Sequence, residues 1–153
     1  MSSENTPPVD PHQPPPSGSS PQWQQPPAAY PAPGGAAPMT PADERTWATV
    51  AHVIPIAASI LSAGFLGFVA SLIVYLVYRD RGPFVRRFAA NALNIQIMEF
   101  IAVVVSLPLM LVLVGFITLP LAIIVAAILH IIAAVRANQG EWYDPPMVPR
   151  FVK

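Results

Sequence analysis

RDRGPFVRRFAANALNIQ, residues 79–96, separates two long apolar blocks and is the one place where charge is dense between them. Arg79, Arg81, Arg86 and Arg87 supply four of the chain's eight basic residues. Arginine beside a membrane-embedded segment resists translocation, so a short basic connector predicts a cytoplasmic loop and sets the direction of the helices on either side. Gly82-Pro83 within it ends one helix and prepares the next.

The chain around this connector has 153 residues, 54% hydrophobic and 10% charged, with zero formal net charge. Soluble domains carry roughly 25% charged residues, and the apolar residues here are crowded into 47–135 in runs longer than a buried soluble helix needs. The class is therefore an integral membrane protein. The absence of cysteine excludes disulfides, thiolate catalysis and cysteine-ligated metals. No nucleophile sits beside a base, no glycine loop could cradle phosphate, and no surface suits nucleic acid. The expectation is a non-enzymatic protein without a cofactor and with no nucleic-acid partner. The start of the chain is polar and proline-rich rather than signal-like, so the first membrane helix is expected to direct insertion.

Upstream of the connector, residues 47–78 contain no Asp, Glu, Lys or Arg over about 32 positions, whereas one straight span needs about 20. One long tilted helix or a hairpin of two short helices of about 16 residues would use the excess. The hairpin is favoured, because Ser62, Gly64 and Gly67 interrupt the run at its midpoint and Pro55 weakens its first half. Ser59, Ala63, Gly67 and Ser71 recur every four positions, a pattern that permits close helix approach. Before this block, Asp43 and Glu44 suit the positive end of a starting helix, and Trp47 suits a membrane interface. Residues 1–42 read as a disordered proline-rich cytoplasmic tail. Twelve of the chain's twenty prolines fall in residues 1–40. The three-residue spacing of Pro8, Pro11 and Pro14 could dock an aromatic groove, but a solvated spacer is the favoured reading, because such spacings arise freely in any proline-rich run.

Downstream, a third helix from about Phe84 to Leu113 would measure about 45 Å against a hydrocarbon thickness of about 30 Å. Its first three turns are expected to lie outside the hydrocarbon or along its surface, with Arg87, Asn91 and Asn94 forming one polar stripe. Pro108 should kink it. Residues 114–119 should form an outer turn capped by Thr118, with Pro120 opening a fourth helix that ends near Arg136 and stops at Gly140. The helical membrane domain then covers 43–138, and residues 139–153, broken by Pro145, Pro146 and Pro149, form an extended cytoplasmic arm. Trp142 and Tyr143 suit headgroup level, with Arg150 and Lys153 within reach of anionic lipid.

His52, Glu99 and His130 are the ionisable side chains inside apolar sequence. In the hairpin arrangement each lies roughly 8 to 10 Å inside the cytoplasmic boundary, forming one layer joined by Asn94 and Gln96. In the single-span alternative His52 moves to the opposite leaflet and the layer dissolves. Intramembrane ionisable groups are costly and often functional, and imidazole with carboxylate could hold a divalent metal or relay protons. No ligand spacing such as paired histidines one turn apart accompanies them, so helix-to-helix hydrogen bonding is the favoured reading and no metal is expected. Arg79, Arg81, Arg86, Arg87 and Arg136 are read as topology signals and lipid-headgroup contacts.

Three motif groups carry a family resemblance over roughly residues 43–152. They are Glu44-Arg45-Thr46-Trp47 with Ala51-His52; Pro83-Phe84-Val85 with Ala92-Leu93-Asn94-Ile95-Gln96; and Ala137-Asn138-Gln139-Gly140-Glu141-Trp142-Tyr143 with Pro146 and Arg150-Phe151-Val152. On these the chain resembles small bacterial membrane proteins of a domain-of-unknown-function family, related distantly to the twenty-kilodalton subunit of the chloroplast inner-envelope translocon (Tic20-like). That family places a histidine where Phe88 stands and often an acidic residue where Asn91 stands, so chemistry attached to that histidine does not transfer. The resemblance implies a multi-pass protein of the bacterial inner membrane, and the basic connector between two hairpins places both termini in the cytoplasm. The leading expectation is a non-enzymatic scaffold or accessory subunit that uses its proline-rich tail and basic cytoplasmic face to engage anionic headgroups, a membrane-protein partner or further copies of itself. The alternative is an oligomeric transport or translocation component using the His/Glu layer.

Overall fold

A computed structural model of the chain describes residues 37–153. The proline-rich stretch 1–36 and the expectations attached to it lie outside the described residues. The described chain is all-helical, with four α-helices in two hairpins. The first hairpin is α1, Pro41–Ser62, and α2, Phe65–Tyr78; the second is α3, Pro83–Leu109, and α4, Gly115–Gln139. A 3-10 turn, Met110–Val112, extends α3, and both Pro83–Val112 and α4 are long and apolar enough to cross a membrane, with α2 a shorter apolar helix. The outward faces carry exposed large apolar side chains along their length, Leu61 and Leu111 among them. Water would not tolerate so continuous an apolar surface, whereas lipid requires it.

Thr40 caps α1: its hydroxyl accepts from the Asp43 amide at 3.2 Å and donates to the Asp43 carboxylate at 2.7 Å. The helix stops where Ala63 and Gly64 take left-handed conformations, φ 51° and 95°. Glycine enters this region without a Cβ penalty, which makes the break at the midpoint of the apolar run inexpensive. The chain reverses there, and Trp47 at the start of α1 stacks on Tyr78 at the end of α2, ring centroids 4.6 Å apart. The turn is shallower than its counterpart in the second hairpin. A Cβ on Gly64 would touch Val103 and Ile123, whereas α3 and its extension run on to Leu113, about ten residues or roughly 15 Å further.

The second turn departs from the sequence expectation. Residues 114–119 are not an outer loop, and α4 begins at Gly115, directly after Leu113 turns with φ 63°. A Cβ on Gly115 would fall 2.2 Å from the Ser106 carbonyl oxygen, so only glycine lets the two helices meet this closely. Thr118 is not a cap, since its hydroxyl bonds Ser106 across the hairpin at 2.8 Å. Pro120 accordingly sits inside α4 rather than at its opening, and Pro108 is the second-last residue of α3. Gly140, φ 75°, ends α4 as a left-handed cap, its amide bonded to Ala137.

The N-terminal half of α3 is the centre of the molecule. Every residue from Phe88 to Gln96 is buried, so these turns are enclosed rather than laid along a surface. The opposite ends of α1 and α4 pack Ala48, Ala133 and Ala137 around Phe88, while Ala51, Ala89 and Val74 join α1, α3 and α2. Small residues at these contacts allow backbones to approach, the usual solution where lipid offers no hydrophobic drive between helices. The remaining side of α3 is covered by residues 141–153, which run back along it without helical structure.

Candidate functional site

Five of the buried polar side chains form one hydrogen-bonded chain through three helices. His52 of α1 meets His130 of α4, Nδ1 to Nδ1, at 2.8 Å. His130 Nε2 lies 3.0 Å from Gln96 Nε2 of α3, which also donates to Glu99 Oε2 at 2.7 Å. The hydroxyl of Ser59, on α1, lies 3.3 Å from both Gln96 Oε1 and Glu99 Oε2. These five side chains are between 0% and 3% exposed. His52 and Ser59 are seven residues apart and share a face of α1, so the chain descends about 10 Å along the bundle. It is strung along the axis rather than confined to one depth.

The amide of Gln96 dictates the histidine tautomers. Its two hydrogens go to Glu99 Oε2 and His130 Nε2, so that ring nitrogen accepts. His130 therefore carries its proton on Nδ1 and donates to His52 Nδ1, which leaves the His52 proton on Nε2. The two ends of the chain, His52 Nε2 and Glu99 Oε1, have no hydrogen-bond partner among the described residues. The 2.8 Å between the imidazole nitrogens suits a shared hydrogen. Two tetrahedral zinc ligands at bond lengths of about 2.0–2.1 Å would stand about 3.3 Å apart, and no metal-sized group of three or more ligand residues occurs among the described residues.

Gly67 of α2 makes the arrangement possible. A Cβ there would lie 2.0 Å from Ser59 Oγ and 2.2 Å from Gln96 Oε1, so glycine admits α2 against the polar chain. The sequence marked Ser59 and Gly67 as small packing positions, but not as contacts of Gln96. The signal available was the seven-residue spacing of His52 and Ser59, which puts both on one helical face.

Asn94 does not join this chain. Its amide clamps the backbone of Val152, donating to the carbonyl oxygen and accepting from the amide, both at 2.9 Å. Asn91 donates to the Tyr143 carbonyl at 2.7 Å, and Arg87 binds Asp144 through Nε and Nη2 at 2.5 to 2.9 Å. The stripe Arg87, Asn91 and Asn94 is thus the cradle of the C-terminal arm. Arg150 closes a second bond on Asp144 at 2.7 Å, and Tyr75 and Arg86 donate to the Lys153 carbonyl. Burial pushes the Asp144 carboxyl up, but the hydrogen bonds and charge of Arg87, with the charge of Arg150, outweigh it and hold it below the usual carboxylate range. Burial raises the Tyr143 phenol, partly opposed by Arg136.

The remaining arginines divide. Arg136 pairs with Glu141 and Arg79 with Asp80, whereas Arg81 contributes its backbone carbonyl to the Met39 amide at 3.0 Å. One residue takes a role its sequence position did not announce. Glu44, in the first turn of α1, reaches across to the start of α3 and accepts from the Phe84 and Val85 amides at 2.8 and 3.0 Å. A carboxylate there satisfies two orphan donors and the positive helix end. Gly82 permits it, because a Cβ would meet the carboxyl carbon at 2.2 Å.

Beside this frame, a groove of about 300 Å³ between α3 and α4 is lined mainly by apolar side chains, including Met98, Leu121 and Val125, with Glu99 and Thr118 its polar members and Val148 of the arm at one side. A smaller recess of about 210 Å³, lined by Arg87, Ala90, Asn91, Arg150, Val152 and Lys153, separates α3 from the arm.

Comparison with known proteins gives one match, over residues 43–152, to the model of the magnetosome magnetite crystal formation protein family. No curated protein and no solved structure matches the chain. The match overturns the expected kinship with the chloroplast translocon subunit: the motifs around Trp47, Asn94 and Trp142 fall in the region matched by a different family. With the matched region covering all four helices and the arm to Val152, the chain belongs to the magnetosome magnetite crystal formation (MamF/MmsF) family.

Proposed function

We propose that this protein is a non-enzymatic scaffold or accessory subunit of the membrane in which magnetite crystals form. The observation that carries the reading is the bonding of Ser59, Gln96, Glu99, His52 and His130 to one another across α1, α3 and α4. Groups so engaged fasten helices together, each bond contributing about 0.6 kcal/mol in a membrane interior. The bundle then serves as a rigid anchor, and what it presents to partners is its basic face, with Arg79, Arg81 and Arg86 toward the cytoplasm and both termini on that side.

A second reading, transport of protons or a cation, is favoured by the unpartnered ends of the chain, His52 Nε2 and Glu99 Oε1. Replacement of Glu99 by Gln keeps the shape and hydrogen-bonding capacity of the side chain and removes its ionisable group. In a magnetite-forming cell that lacks the native copy, the scaffold reading expects the variant to restore crystal size and number and to co-purify with the same membrane proteins. Loss of crystals with partners and protein level intact would instead establish the transport reading.

A further inference from the structure

We propose that the recess between α3 and the C-terminal arm binds the phosphate group of an anionic phospholipid from the surrounding bilayer. The inference rests on the reading above in one respect, that this end of the bundle faces the cytoplasmic leaflet. Arg87, Arg150 and Lys153 line the recess together with the Asn91 side chain. Asp144 accepts from both guanidinium groups and fixes their position, but one carboxylate cannot balance two arginines and a lysine. Lys153 forms no ion pair among the described residues. Arg87 reaches Asp144 through Nε and Nη2 and Arg150 through a single Nη2, so each guanidinium keeps N–H donors for a second anion. A phosphodiester matches that need, with oxygens that accept from the guanidinium fork and one negative charge. The recess volume of about 210 Å³ accommodates it.

A lipid is favoured over free phosphate by what lies beside the recess. Trp142 and Tyr143 stand at the same end of the bundle, where aromatic rings occupy headgroup level. Arg87, Asn91, Met98 and Ala102 fall within about 60° of one another on α3, so the recess and the apolar groove share one helical face. Met98 lies eleven residues below Arg87, about 16 Å along the axis, a separation that a phosphate and its own acyl chain can span. Val148 of the arm lines the groove and Arg150 of the same arm lines the recess. The arm therefore borders both the recess and the groove.

The test uses the full chain in a neutral detergent, with bound lipid counted by native mass spectrometry. Phosphatidylglycerol is expected to bind in preference to phosphatidylcholine, and the double variant R150Q/K153Q to weaken it about 30-fold, on the usual contribution of basic residues facing an anionic surface. R79Q, outside the recess, should bind as the parent does. Equal retention of phosphatidylglycerol by R150Q/K153Q and the parent would overturn the site. Competition by inorganic phosphate at concentrations matching the lipid would overturn the lipid as its ligand. Arm detachment is monitored by Trp142 fluorescence, and R150K/K153Q, which returns one positive charge without the guanidinium fork, should recover part of the affinity that R150Q/K153Q loses. Because partner co-purification is measured separately, a scaffold that fails leaves this binding result unaffected.

Discussion

Gly67→Ala is the substitution for which the structure and helix propensity demand opposite signs. In the first turn of α2 an alanine should stabilise the helix by at most about 1 kcal/mol, since glycine is the poorer helix former. The structure opposes this, because the new Cβ would stand 2.0 Å from Ser59 Oγ and 2.2 Å from Gln96 Oε1, distances that no pair of atoms holds. Either α2 retreats or the two side chains rotate away. Overpacking costs about 1–3 kcal/mol, and loss of the Ser59 bonds adds about 0.6 kcal/mol apiece. The net expectation is destabilisation by about 1–3 kcal/mol after the propensity gain is subtracted. Reversible unfolding in mixed micelles, titrated with a denaturing detergent and followed by circular dichroism, measures it. Combining Gly67→Ala with Ser59→Ala removes the nearer obstacle and should recover part of the loss. A Gly67→Ala protein as stable as the parent, or more so, would refute the claim that α2 seats against the polar chain through this glycine.

The remaining predictions concern the end of the bundle where the C-terminal arm packs. Glu44→Gln should destabilise by about 1 kcal/mol through weaker capping of α3, and Gly82→Ala should do at least as much by displacing the same carboxyl; thermal unfolding of each variant checks both, and an unchanged midpoint would contradict the cap. Asn94→Leu removes both bonds to Val152 and should free the arm, so trypsin should cleave after Arg150 several times faster while the bundle keeps its helicity. Because the Asp144 carboxyl is held below its usual value, its share of arm docking is present above pH ~4 and disappears as the pH falls through the depressed value. With the Asp144 side chain 45% exposed, the effect should stay under ~1 kcal/mol. Trp142 fluorescence, with Trp23 and Trp47 replaced by Phe, should shift on acidification in the parent and be shifted already at neutral pH in Asp144→Asn; a parent signal constant down to pH 2 would count against the docking role.

How much of this was legible beforehand depended on whether a residue's partner was near in sequence. The break at Ala63 and Gly64 could be read because an apolar run too long for one span carried its own interruption, and Gly140 because a left-handed stop is a local matter. The second turn was misplaced because Thr118 and Pro120 have ordinary meanings near a helix start, whereas their setting here comes from Ser106 and the close approach at Gly115, several residues distant. Asn94 presents the same difficulty. Its position one helical turn from Asn91 and two from Arg87 announced a polar stripe, but one face of a helix cannot say whether a stripe meets water, lipid headgroups or another piece of chain. That was decided by residues 143–152, some fifty positions away, whose prolines leave backbone groups unpaired and in need of partners. The two polar systems therefore do different work. Gln96 and its neighbours hold helix to helix where no water is available, while Arg87, Asn91 and Asn94 hold an irregular strand whose own backbone cannot satisfy itself. A change in the first should be felt as lost stability, and a change in the second as a freed arm on an intact bundle, so variants of Gln96 and Asn94, two residues apart on one helix, should separate the two.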